Sequence, residues 1–139
     1  ERILELLQRE GGDQVGGIFH AFSGSLETAR KIIGLGFLLG VGGVVTLQTA
    51  RRLPEVIREV PAEALVLETD APYMAPEQHR GQPNRPAYLE LIARQVASLR
   101  DWTLAETAQQ TTQNACRVLG LSLPGTLQED KGTSDNDSE

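Results

Sequence analysis

Cysteine is nearly absent. Cys116 stands alone in 139 residues, which excludes an internal disulfide and suits a reducing cytoplasm. It lies inside a helical pattern, so it reads as a packed, inert thiol rather than a nucleophile. No segment approaches the roughly 20 consecutive apolar residues that a bilayer-spanning helix needs. No secretory signal is visible in the opening ERILELLQREGG, which is charged and amphipathic. Methionine occurs only at Met74. Ile3, Leu4, Leu6 and Leu7 already form an apolar stripe at helical spacing, so the expectation is a chain that starts partway through a larger protein.

An excess of positive charge is missing as well. The net charge is −6, but residues 124–139 hold five acids and one base, which leaves only −2 on residues 1–123. That last stretch, PGTLQEDKGTSDNDSE, is polar and without aromatics, and it reads as a disordered acidic tail. The organisation expected is one domain over residues 1–121 and the tail over 122–139. A nearly neutral body has no broad basic face for nucleic acid, so any nucleic-acid chemistry falls to a few local groups.

What is present is an alternation of two periods. Residues 15–22 (VGGIFHAF), 37–41 and 65–69 read as strands. Between them lie a helix over 26–35, capped by Ser25 and ended by Gly36, and a second over about 47–60, with Thr46 as its cap. Pro54 limits the first part of that second helix. A proline-rich loop fills 71–85, and helices over about 86–100 and 104–119 close the body. The last opens on the capping box of Thr103 and Glu106 and ends at Gly120. Strands alternating with helices, and apolar on both faces, argue for an α/β fold with a parallel sheet. Three strands fit best as the last three βα units of a (β/α)₈ barrel.

Chemistry in such barrels gathers where strands end at the carboxyl face. In ALVLETDAPY (64–73) an apolar strand runs directly into Glu68 and Asp70, two acids expected on one face. They repel each other and resist burial unless a cation, hydrogen bonds or solvent compensate them. The first strand ends in His20. A lone histidine on an apolar strand is usually structural, and acids at a strand exit usually face water. Together, at equivalent depths of one sheet, His20 and Asp70 point to a divalent-metal site.

FHAFSGSLETARKIIGLGF (19–37) and LETDAPYMAPEQHRGQPNRPAYL (67–89) resemble the TatD family of metal-dependent deoxyribonucleases, and TTQNACRVLGL (111–121) is similar to that family's last helix. The resemblance implies a (β/α)₈ barrel with two divalent ions at its carboxyl end, hydrolysing phosphodiester bonds of DNA. Mg2+ is the first expectation for the ions, with Mn2+ and Zn2+ as alternatives. It implies His20 as ligand of one metal and Asp70 as ligand of the other or holder of the attacking water. Glu68 would be an acid that orients ligands. The family's other ligands are a histidine pair on the first strand, a glutamate on the fourth and a histidine on the fifth. None has a counterpart here, so the implied complete enzyme includes an amino-side barrel half, and the isolated chain is expected to be inactive.

Arg80 stands before Gly81, where the family has its R-G, and is the candidate phosphate contact. His79 reads as a surface histidine and Arg85 as a solvated loop charge. Tyr73 is open between stacking on a base and packing under the loop. Ser23 lacks a base and an orienting group, so it reads as a turn residue. GLGFLLGVGG does not match a dinucleotide fingerprint. Two other functions compete: the same barrel and metals acting on other ester or amide bonds, and a non-catalytic half-barrel whose exposed sheet edge binds a partner.

Overall fold

The computed structural model describes residues 2–122. All but Ser122 of the expected acidic tail therefore lies outside the described residues. Three short strands, β1 (Gly17–Phe19), β2 (Phe37–Val41) and β3 (Leu65–Leu67), form one sheet in the order β1-β2-β3, and both pairings are parallel. The register sets Phe19 beside Leu39 and Gly40 beside Val66. Five α-helices accompany the sheet: α1 (Arg2–Arg9), α2 (Leu26–Gly34), α3 (Arg52–Glu59), α4 (Leu89–Arg100) and α5 (Leu104–Leu119). Among the described residues no helix is long and apolar enough to cross a membrane.

Strand periodicity explains where the core sits. Phe37, Leu39, Val41 and Leu65 lie on one face, packed with Ala29 and Ile32 of α2, Leu53, Val56 and Ile57 of α3, and Ile92 and Val96 of α4. Leu38, Gly40 and Val66 alternate onto the opposite face. That second row leads towards His20 and Glu68, so the sheet's pleat aims the polar residues away from the helices.

The element boundaries differ from the sequence expectation in three places. β1 is shorter than 15–22, because Gly16 and Gly17 take positive φ on one side and Ala21 does so on the other. β3 stops at Leu67, although the Glu68 N–H still donates to the Val41 carbonyl at 3.1 Å and prolongs the pairing. The second expected helix begins at Arg52 instead of after Thr46. Thr46 is engaged elsewhere: its hydroxyl donates to the Gly43 carbonyl at 2.7 Å and accepts the Glu77 N–H at 2.9 Å. Starting at Arg52 leaves Pro54 in the first turn, where its missing N–H has no intrahelical partner to lose.

The expected caps of α2 and α5 are formed. Ser25 accepts the Thr28 N–H at 3.2 Å. Thr103 and Glu106 close a reciprocal capping box, with Thr103 accepting the Glu106 N–H at 3.1 Å and Glu106 accepting the Thr103 N–H at 2.7 Å.

Candidate metal centre

The strand exits build the site. After Phe19 the chain leaves β1 through His20, and Ala21 turns in the left-handed region at φ 49°. Phe22 then rejoins the sheet, its N–H donating to the Gly40 carbonyl at 2.9 Å. Glu68 follows β3 directly. Asp70 does not continue the strand's alternation, because it sits at φ 57°. A turn closed by the Tyr73 N–H on the Asp70 carbonyl at 2.8 Å carries its carboxylate back over the strand end.

His20 lies between the two acids. Its Nδ1 is 3.1 Å from Glu68 Oε2, and its Nε2 is 2.8 Å from Asp70 Oδ1. Glu68 Oε1 also accepts the Ala21 N–H at 2.5 Å. The imidazole is two-thirds exposed, whereas both carboxylates are mostly covered, at 18% exposure each. A neutral imidazole offers one N–H donor, so donating to both acids requires the protonated form. The hydrogen bond with Glu68 is the leading cause that raises the His20 pKa above 6.5, followed by the negative charges of Glu68 and then Asp70.

Room for Glu68 comes from a neighbour that sequence reasoning passed over. A Cβ on Gly40 would lie 2.7 Å from Glu68 Cδ and nearer still to Oε2. A Cβ on Gly42 would stand 3.4 Å from Asp70 Oδ2. The signal was available, since a glycine inside an apolar strand marks close approach by another group. Asn84, within the 67–89 stretch, is the second residue missed. It is 4% exposed and its amide faces the carbonyls of Thr69, Tyr73 and Met74.

The donor set suits a divalent cation. One imidazole nitrogen and two carboxylate oxygens lie within 4.8 Å of one another. Even protonated, His20 leaves the trio with one negative charge in excess, and deprotonated with two. A cation in place of the proton would neutralise that excess, and nitrogen–oxygen ligation of this kind is common for first-row divalent ions. His20, Glu68 and Asp70 therefore fit a metal, although three donors alone leave its coordination incomplete.

The remaining candidates are not in this cluster. Arg80 is exposed and sits 3.6 Å from Glu77 Oε1. It lines an open cavity of about 470 Å3 with Pro72, Tyr73 and Met74, beside the loop that follows Asp70. Tyr73 is 75% exposed, so it is not packed under the loop. His79 is half-buried, its ring stacked on Tyr88 at 3.9 Å, so it is not the free surface histidine expected. Ser23 is exposed. Cys116 is half-buried and lines an apolar cavity of about 560 Å3 between α4 and α5.

Residues 1–120 match the model of the family described as TatD related DNase, and the chain belongs to that family. Among its relatives, the uncharacterized metal-dependent hydrolase YabD of Bacillus subtilis is 40% identical over 122 residues, which cover 88% of this chain and 48% of YabD. The uncharacterized metal-dependent hydrolase TatD of Mycobacterium tuberculosis is 42% identical over 120 residues, covering 86% of this chain and 45% of that protein. Of solved structures, the TatD homologue YJJV of Escherichia coli K12 superposes with a TM-score of 0.81 at 34% identity, over 87% of this chain and 46% of YJJV. The chain thus spans about half the length of the relatives it matches.

Proposed function

We propose that this chain supplies the carboxyl-side part of a (β/α)₈ barrel whose complete form is a divalent-metal-dependent hydrolase of phosphodiester bonds in DNA. The observation that carries the chemistry is the imidazole held between two carboxylates at the carboxyl end of a parallel sheet. The barrel reading is supported by β1 and β3, each with one side unpaired among the described residues, and by the apolar cavity lined by Leu67, Leu89 and Ala93. A family described as TatD related DNase supports the choice of DNA over other substrates.

In this reading His20 and Asp70 hold metal, and Glu68 fixes the ring of His20 through Nδ1. A bound divalent ion would neutralise the phosphate and lower the pKa of water. Arg80, at the lip of the cavity beyond Asp70, receives the phosphate backbone. Mg2+ is the expected ion, with Mn2+ and Zn2+ as alternatives, and the cytoplasm is the expected site of action.

The test is metal-dependent cleavage of an end-labelled oligonucleotide by a complete barrel that carries this segment. His20→Ala and Asp70→Asn should each lower cleavage by about 100-fold or more, at the upper end of the loss expected when a metal's support is removed. Arg80→Ala should raise KM more than it lowers kcat. Near-normal cleavage by both His20→Ala and Asp70→Asn refutes the site. Hydrolysis of ester or amide substrates in preference to DNA keeps the metal centre and overturns the substrate.

A further inference from the structure

We propose that Asn84 is a positioning residue of this centre, clamping the loop over residues 69–74 so that Asp70 stays directed at His20. The inference rests on the metal-centre reading and extends it to a residue that touches neither the imidazole nor the carboxylates.

Five contacts carry it. The Asn84 amide nitrogen donates to the carbonyls of Thr69, Tyr73 (2.7 Å) and Met74 (3.3 Å), which lie on either side of Asp70 and Pro72. Its own N–H donates to the Pro72 carbonyl at 2.9 Å, and its Oδ1 accepts the Arg85 N–H at 2.8 Å. One buried side chain thus ties both ends of the loop to a single point. The loop needs holding, because Asp70 and Met74 both occupy the left-handed region, at φ 57° and 56°. A residue with a Cβ is strained in that region, and the conformation persists where surroundings over-determine it.

The chemistry selects asparagine. Aspartate has the same shape but, ionised, donates nothing, so its oxygen would face three carbonyl oxygens. An apolar residue would leave those carbonyls without their donor in a buried place. Loss of the clamp releases Asp70, and with it the short contact to His20.

Hydrogen exchange and Mn2+-induced line broadening, both read by NMR on a complete barrel that carries this segment, test the proposal. Asn84→Asp, or Asn84→Ser where the aspartate variant does not fold, should speed exchange of the Tyr73 amide at least tenfold. The same variant should raise at least tenfold the Mn2+ concentration that half-broadens the His20 ring and Asp70 amide signals. Asn114→Ala, which removes another buried asparagine far from His20, should lower thermal stability and move neither readout. In the wild type, diamagnetic Mg2+ should slow exchange at Tyr73 and Arg85 together, because ligand and clamp favour one conformation.

Wild-type exchange and Mn2+ response in an Asn84 variant would overturn the proposal. So would an equal loss of Mn2+ response in Asn114→Ala, or unaltered exchange at both amides in the wild type saturated with Mg2+. If Mn2+ broadens neither His20 nor Asp70 in the wild type, the metal reading fails. Tyr73 exchange in the metal-free variants then decides the clamp alone: accelerated, it stands; unchanged, it falls.

Discussion

The two ends of β3 are organised by the same device and to opposite effect. At the amino end the buried amide of Asn114 donates to the Ala62 and Leu65 carbonyls, each at 2.8 Å. Its Oδ1 accepts from Gln110 at 3.0 Å, and Arg117 reaches the Glu63 carbonyl at 2.7 Å. The buried amide there is partnered on both of its ends, and one cationic side chain meets a backbone carbonyl. At the carboxyl end Asn84 grips three carbonyls in the same way, but the loop it holds carries Asp70, one of two carboxylates with an imidazole between them. One end spends its polar groups on stability. The other uses them to preserve a negative excess that only a cation relieves.

The largest expected effect separates these roles. Asn114→Ala takes this donor from the buried Leu65 carbonyl and the half-buried Ala62 carbonyl and should cost about 2–4 kcal/mol, since an unsatisfied buried group loses about 1–3 kcal/mol. Urea unfolding measures it. The Mn2+ response of His20 should stay as in the wild type, and a shifted response would break the contrast between the ends.

The second effect concerns Gly40. Adding a methyl group there, Gly40→Ala, forces Glu68 off its seat, because the new Cβ would stand 2.7 Å from Glu68 Cδ. Removing support from a metal ligand typically costs about 10–100-fold in affinity. The expected outcome is an Mn2+ midpoint for His20 raised by about tenfold, with little change in the urea midpoint. An unchanged Mn2+ midpoint would show that Glu68 does not orient His20.

These two substitutions also mark where sequence reading succeeded and stopped. Alternating strand and helix periods disclosed the parallel α/β arrangement, because local hydrophobic patterning is written residue by residue. The caps at Ser25 and Thr103 were legible for the same reason. His20, Glu68 and Asp70 could be named from strand ends and motifs, yet their meeting depends on Ala21 and Asp70 taking positive φ, which residue type does not announce. The expected shared face for Glu68 and Asp70 arose from strand alternation, whereas Asp70 arrives by a turn. Gly40 and Asn84 act across β2–β3 and across the long loop, so their partners are distant in sequence and only the folded chain reveals them. Thr46 misled for a related reason: its capping chemistry was real but was directed at Gly43 and Glu77.

A smaller effect is expected at the capping box of α5. Thr103→Ala removes the acceptor of the Glu106 N–H and should lower stability by about 1 kcal/mol. It should do so without touching the Mn2+ response, like Asn114→Ala but more weakly. A metal effect here would mean that α5 as a whole, and not the loop after β3, governs the centre.

The smallest effect is a dependence on pH, and it has opposite signs at His20 and at the α5 cap. His20 has its pKa raised above 6.5, chiefly by its hydrogen bond with Glu68. The folded chain therefore holds that proton more tightly than the unfolded chain. This contribution is complete below pH 6.5 and disappears as pH rises through the raised folded value. Glu106 has its pKa lowered below 4.5, first by the Thr103 N–H and then by the Thr103 hydroxyl. Its contribution is complete above pH 4.5 and is lost as pH falls through the lowered value. Both groups face solvent, so salt weakens each effect. Urea midpoints of His20→Gln should converge on the wild type as pH climbs beyond 6.5, and those of Glu106→Gln should converge below 4.5. Saturating Mn2+ should reverse only the first trend, because proton and cation compete for the same imidazole. Convergence of His20→Gln at high pH even with the metal present would mean that the proton, and not a cation, is the natural occupant between Glu68 and Asp70.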